Sequence, residues 1–277
     1  MIESLDLNQI LFILTIMILS AIVVGFMAGF FGIGGGLIMV PVLFYVFSFV
    51  GIEKEFVMHM AIGTSFFIII PNSIISTITH MRFKAVDFNL VRTFGIFVMI
   101  GVIIGTIFAI SLKTSSLILI FSIMTMVFAI YFLIEREKIN TSPRKINLIY
   151  RIFLGFLSGF LSAPMGIGGG VYNIPIFKMF GYPINIAIGT SAAIGFLISL
   201  TGSISFASSG AYFNINAPLS LGFLNIPTFL IFVPITMFMA KIGAESVHRF
   251  DKNLVGKMFG IYLLVVSCRL FYEYFNF

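Results

Sequence analysis

Apolar residues fall in ten blocks, at about 9–31, 37–50, 57–80, 90–111, 115–134, 148–164, 171–180, 184–209, 217–240 and 253–274, separated by short polar or glycine-containing stretches. Many reach the roughly 20 residues that a helix needs to cross a bilayer. The blocks are continuous. A transmembrane β-barrel would instead show segments of about ten residues with alternating hydrophobicity. The pattern predicts an all-α, polytopic membrane protein with eight to ten membrane segments. The first block is read as structure and not as a leader, because residues 1–8 carry only Glu3 and Asp6 as charges and lack a basic opening.

One polar stretch stands out, Glu135 to Asn147 (EREKINTSPRKIN), and it divides the chain near its middle. The blocks on either side repeat. Residues 25–44 read GFMAGFFGIGGGLIMVPVLF and residues 159–178 read GFLSAPMGIGGGVYNIPIFK, with eight of 20 positions identical. AIGTS then occurs at Ala61 to Ser65 and again at Ala187 to Ser191. The same motifs in the same order indicate an internal duplication. The predicted organisation is a first transmembrane repeat over 1–134, a cytoplasmic linker over 135–147 and a second repeat over 148–277.

Composition sharpens this. Of 277 residues, 60% are hydrophobic and 9% charged, where a soluble domain carries roughly a quarter charged. The net charge of +6 does not point to nucleic acid, because the basic residues sit between apolar blocks, where membrane topology expects them. Cys268 is the single cysteine, so neither an intrachain disulfide nor a cysteine metal site is available, and no cofactor or metal is predicted.

Charge also orients the halves. If the second GIGGG ran straight through the membrane, alternate sides would collect nine and seven Lys/Arg. If it is the tip of a hairpin, one side collects 13 and the other keeps Lys54, Lys113 and Arg269. The second count is the asymmetry of the positive-inside rule. The expected fold is therefore an inverted-topology repeat, each half a Gly-rich helical hairpin plus three transmembrane helices, with both termini external.

The glycine turns carry the candidate chemistry. Consecutive glycines permit positive φ and leave amides bare, and in a bilayer irregular backbone survives only against protein or a water-filled cavity. Each GIGGG precedes a short helix, and helix N-termini attract anions through free N–H groups and the aligned dipole. The candidate substrate-binding residues are Gly32, Gly34, Gly35 and Gly36 in the first half and Gly166, Gly168, Gly169 and Gly170 in the second. Thr64, Ser65, Thr190 and Ser191 offer matched hydroxyls, although such groups also bond their own backbone. Asn173 stands where the first half has Met39, so it breaks the symmetry and is a selectivity candidate. His80 is a candidate for a proton-linked role. Asn72, beside Pro71, is read as satisfying backbone at a proline kink. The pairs Gly25/Gly29, Gly101/Gly105 and Gly155/Gly159 are read as helix-packing positions. Acidic residues fall in loops or at helix ends, so no buried carboxylate relay is visible. The chain has no P-loop and no catalytic triad or HExxH pattern, and it is not read as an enzyme.

Taken together, the paired GIGGG turns, Pro41 and Pro175, the paired GTS at 63–65 and 189–191, and the H-x-x-x-x-A-V-D of His80 to Asp87 resemble the sulfite exporter TauE/SafE family of membrane permeases. The resemblance covers nearly the whole chain. It implies a multi-pass carrier of the bacterial inner (plasma) membrane that moves sulfite, sulfoacetate or related anions, often outward. Phe206 stands where a second histidine would match His80.

The expected function is export of a small anion by alternating access, the two halves rocking about a site between the glycine turns. A passive anion channel of the same architecture is one alternative, and a membrane scaffold or enzyme subunit another. The expected partners are the anionic substrate and the lipid bilayer, with a homodimer as a candidate assembly.

Overall fold

A computed structural model describes residues 6–32, 34–134, 146–213, 219–246 and 252–276. Ten helices follow in chain order: α1 Leu7–Phe31, α2 Gly36–Val50, α3 Val57–Arg82, α4 Phe88–Ile110, α5 Thr114–Ile134, α6 Leu148–Ser162, α7 Gly170–Met179, α8 Ile184–Tyr212, α9 Ile226–Ser246 and α10 Lys252–Asn276. A 3-10 turn, Ala163–Met165, extends α6. Eight spans, α6 taken with this turn, are long and apolar enough to cross a membrane, while α2 and α7 are shorter. The protein is an all-α, polytopic membrane protein.

The elements end where local chemistry dictates. Asp6 and Gln9 form a capping box at the start of α1. The Asp87 carboxylate accepts the N–H groups of Asn89 and Leu90 at 2.9 and 3.1 Å and starts α4. Pro41 and Pro175 lie inside α2 and α7 at matching places. Ile96, Ile100, Ile103 and Ile107 stay exposed along one face of α4, a stripe that suits lipid and not water.

The ninth apolar block begins later than its hydrophobicity suggests. A two-stranded hairpin, β1 Ser220–Leu221 with β2 Leu224–Asn225, precedes α9, which starts only at Ile226. Left-handed Gly222 makes the turn, and Phe223 at its tip is buried. Apolar content marked this segment as membrane-embedded but could not distinguish a buried turn from a helix. Of the expected linker, residues 135–145 lie outside the described residues, and Asn147 is the N-cap of α6.

Packing crosses between the halves. α1 lies along α9, and α4 lies along α6; α3 pairs with α8, and α5 with α10. If α1–α5 are matched in order with α6–α10, each contact maps onto another or onto itself. Glycines make the crossed contacts close. A Cβ on Gly25 would stand 2.6 Å from the Thr236 carbonyl oxygen, and one on Gly105 would stand 2.5 Å from that of Phe160. Gly29 on Ala240, Gly101 on Phe156 and Gly159 on Val98 are tighter still. These glycines serve backbone-to-backbone packing.

Candidate functional site

Gly32, Gly34 and Gly35 lie between α1 and α2, and the turn 166–169 leads into α7. Gly32 and Gly166 have φ of 63° and 61°, and Gly35 and Gly169 have φ of 82° and 73°. Both turns therefore use the left-handed region at matched positions, where any side chain would be strained. The turns touch. A Cβ on Gly34 would stand 3.2 Å from Gly168 Cα, and one on Gly36 would strike the Gly166 carbonyl oxygen.

Each turn also leans on the AIGTS segment of the other half. A Cβ on Gly32 would stand 2.6 Å from Ile188 O, and one on Gly166 would stand 3.1 Å from Ile62 O. Ser65 Oγ donates to Gly166 O at 2.7 Å and so fixes the second turn from α3. Its counterpart Ser191 is equally buried, yet its hydroxyl meets no partner. Thr64 and Thr190 are engaged elsewhere. Thr64 Oγ1 accepts the N–H of Asn225 and donates weakly to Phe223 O at 3.4 Å, while Thr190 Oγ1 accepts the N–H of Asp87. Both threonines thus grip a loop of the opposite half and do not face the turns with a free hydroxyl.

The second turn has the richer set of side-chain donors. As α7 begins, the N–H groups of Tyr172 and Asn173 donate to Gly169 O at 3.0 and 2.8 Å. Those of Gly168, Gly169, Gly170 and Val171 have no backbone acceptor among the described residues, and no side chain caps the helix. Asn173, 0% exposed, leans over this end: Ser158 Oγ donates to its Oδ1 at 2.6 Å, which directs Nδ2 away. Nδ2 is buried, has no partner, and lies 3.1 Å from where a Cβ on Gly169 would stand. Ser162 Oγ is 3.5 Å from the same point and donates to Ser158 O. At the first turn the corresponding residues are Val24, Ala28 and Met39. The bare amides are thus matched at the two turns, and the side-chain donors are concentrated on the second.

His80 sits at the far end of α3, fully buried, with Nε2 3.3 Å from Gly29 O. A Cβ on Gly189 would stand 3.0 Å from His80 Cβ, as one on Gly63 would stand 3.2 Å from Phe206 Cβ, so His80 and Phe206 occupy equivalent places. Asn72 departs from its expected role, because neither Oδ1 nor Nδ2 bonds the backbone at Pro71. Ser158 and Ser162 were not singled out from the sequence. Their spacing of four with Gly155 and Gly159 reads as a small-residue packing stripe, which masks the two hydroxyls that serve Asn173.

Among the described residues, Asp, Glu, Lys and Arg are missing from the buried polar set. The interior is polar without fixed charge. Two touching helix-initiating turns inside a bundle of eight apolar spans define a multi-pass membrane protein. A model of the family described as "Sulfite exporter TauE/SafE" matches residues 17–270, and the chain belongs to that family. A probable membrane transporter protein of Haemophilus influenzae is 31% identical over 94% of this chain and 98% of its own length. One of Methanocaldococcus jannaschii is 31% identical over 86% of this chain and 87% of its own, and YunE of Bacillus subtilis, also named a probable membrane transporter, is 26% identical over 93% and 97%. No solved structure matches the chain.

Proposed function

We propose that the protein exports a small oxyanion, sulfite or an organosulfonate, across the plasma membrane by alternating access. The observation that carries this reading is the unpartnered Asn173 Nδ2 poised over the uncapped N-terminus of α7. A buried donor left unmade costs roughly 1–3 kcal/mol, a cost that a bound anion would return. Half-helix N-termini directed at anionic groups near the middle of the bilayer are a recurring device in secondary transporters. With no buried Lys or Arg among the described residues, such a site would bind by dipoles and let its ligand go.

The sequence halves are unsuitable as the rocking bodies, because separating them would break the α1–α9 and α4–α6 contacts. The alternating units in our reading are the crossed pairs, α1 with α9 and α4 with α6, moving about the central α3 and α8. The charge asymmetry supports external termini and a cytoplasmic 135–147. Saturable flux of radiolabelled sulfite or a sulfonate in proteoliposomes, with counterflow, tests the reading. Intact protein that gives no saturable flux for any small oxyanion would remove it, and large unsaturable currents would replace the carrier by a channel.

A further inference from the structure

The central helix α3 carries a polar face that the glycine turns do not account for. Asn72 is 0% exposed, and both Oδ1 and Nδ2 lack partners; Ser76, one helical turn on, is 2% exposed, and its Oγ is likewise unpartnered. At 3.6 residues per turn, Ser65, Ile69, Asn72, Ser73 and Ser76 share roughly a third of the helix circumference. Contacts show where this face looks. Ser65 bonds Gly166 O, and Ile69 Cγ2 lies 2.9 Å from where a Cβ on Gly34 would stand. Ser73 Oγ is 3.3 Å from the corresponding point on Gly195, which is itself 2.9 Å from Gly168 O. Asn72 and Ser76 therefore continue a face that already touches both turns.

The repeat supplies a control. Asn72 corresponds to Ile198, whose Cδ1 lies against Gly169. Where the second half has hydrocarbon on this helix position, the first has a carboxamide. The first half, lacking an equivalent of Asn173, thus carries its unpartnered amide on α3.

A carboxamide offers a donor and an acceptor together. A fully ionised oxyanion can satisfy Nδ2 but would press a negative oxygen on Oδ1. An anion that retains an O–H satisfies both. Charge points the same way. The cost of burying an ion rises with the square of its charge, so a dianion costs roughly four times a monoanion, and among the described residues no buried Lys or Arg offsets it. We infer that Asn72 and Ser76 form a recognition site for the proton-bearing oxygen of a singly charged hydrogen oxyanion, hydrogensulfite being the probe of choice. This rests on the transport reading above and adds the protonation state of the cargo.

The test measures initial rates of radiolabelled sulfite flux in proteoliposomes, with equal pH inside and out, stepped across the ionisation of hydrogensulfite. Wild-type rates should fall on one saturation curve when plotted against hydrogensulfite alone. Asn72→Leu should raise the half-saturating concentration at least tenfold, and Ser76→Ala should raise it less. Methanesulfonate, singly charged but without an O–H, should inhibit wild type and Asn72→Leu equally. Thermal unfolding in detergent separates recognition from architecture, because removing an unpartnered amide should leave Tm unchanged or raise it. Rates that follow the dianion, an unaltered half-saturation in Asn72→Leu, or a lower Tm or lost folded yield for that variant would each overturn this inference while oxyanion flux persisted. Absence of saturable flux in the wild type would overturn the transport reading, and this one with it.

Discussion

Thr190 Oγ1 accepts the backbone N–H of Asp87 at 3.0 Å, across 103 residues of chain. Thr64 does the same for Asn225, also at 3.0 Å. Each AIGTS segment thus anchors the loop that follows the other half's long central helix, 83–87 in one case and the β1–β2 hairpin in the other. The loops stand over Gly189 and Gly63: Ala85 O lies close above the first, and Phe223 O is 2.7 Å from where a Cβ on the second would stand. Replacing Thr190 with Val keeps the shape and leaves the Asp87 N–H unpaired, a cost of roughly 1–3 kcal/mol. Differential scanning fluorimetry in detergent should show a Tm lowered by several degrees, and Thr64→Val should behave alike.

Glycines of the two kinds should fail differently. At Gly169 an added methyl would meet Ile198 Cδ1, stand 3.1 Å from Asn173 Nδ2 and be held at φ 73°. At Gly29 it would meet the Ala240 backbone in the α1–α9 seam. Gly169→Ala should yield folded protein with transport reduced at least tenfold, whereas Gly29→Ala should reduce folded yield and flux together. Size-exclusion recovery measured beside proteoliposome flux distinguishes them. Equal losses of both quantities in the two variants would return the glycine turns to a packing role.

Asn173→Leu removes the unpartnered donor. A hydrogen bond to a charged group is worth about 1.5–3 kcal/mol, so the apparent affinity for oxyanion should fall about tenfold to a hundredfold. Ser158→Ala should act more weakly and in the same direction, because it frees the amide that Ser158 orients at 2.6 Å. Saturation curves for the two variants check the order.

Topology can be read by chemical labelling. Cys268 is the single cysteine, so Cys268→Ser provides a background for single cysteines at Lys84, Lys178, Lys54 and Lys113. An impermeant maleimide applied to intact cells should label positions 54 and 113 and reach 84 and 178 only after permeabilisation. Labelling of 84 and 178 on opposite faces would overturn the inverted arrangement.

The blocks, the glycine turns and their pairing were legible because each has a local signature: apolar runs of bilayer length, or a motif that occurs twice. The β1–β2 hairpin was not, since Phe223 and Leu224 look as apolar as any helix start, and only burial against His59 and Phe206 explains them. The hydroxyls of AIGTS were legible as a pair but not in role, because Thr64 and Thr190 bond loops distant in sequence. Asn72 looked like a local repair at Pro71, and its unpartnered state emerges only when every neighbour is in place. Spacing within one element is readable from sequence; which opposite element faces it depends on tertiary packing.

The crossed seams bear on how such a chain is made. While ribosomes are still producing residues after the midpoint, α1 lacks α9 and α4 lacks α6, so the small-residue faces of α1 and α4 wait unsealed in the lipid. Folding should consequently finish late and all at once. Two fragments cut within 135–147 and made in the same cell should find each other and assemble, while either made by itself should be degraded.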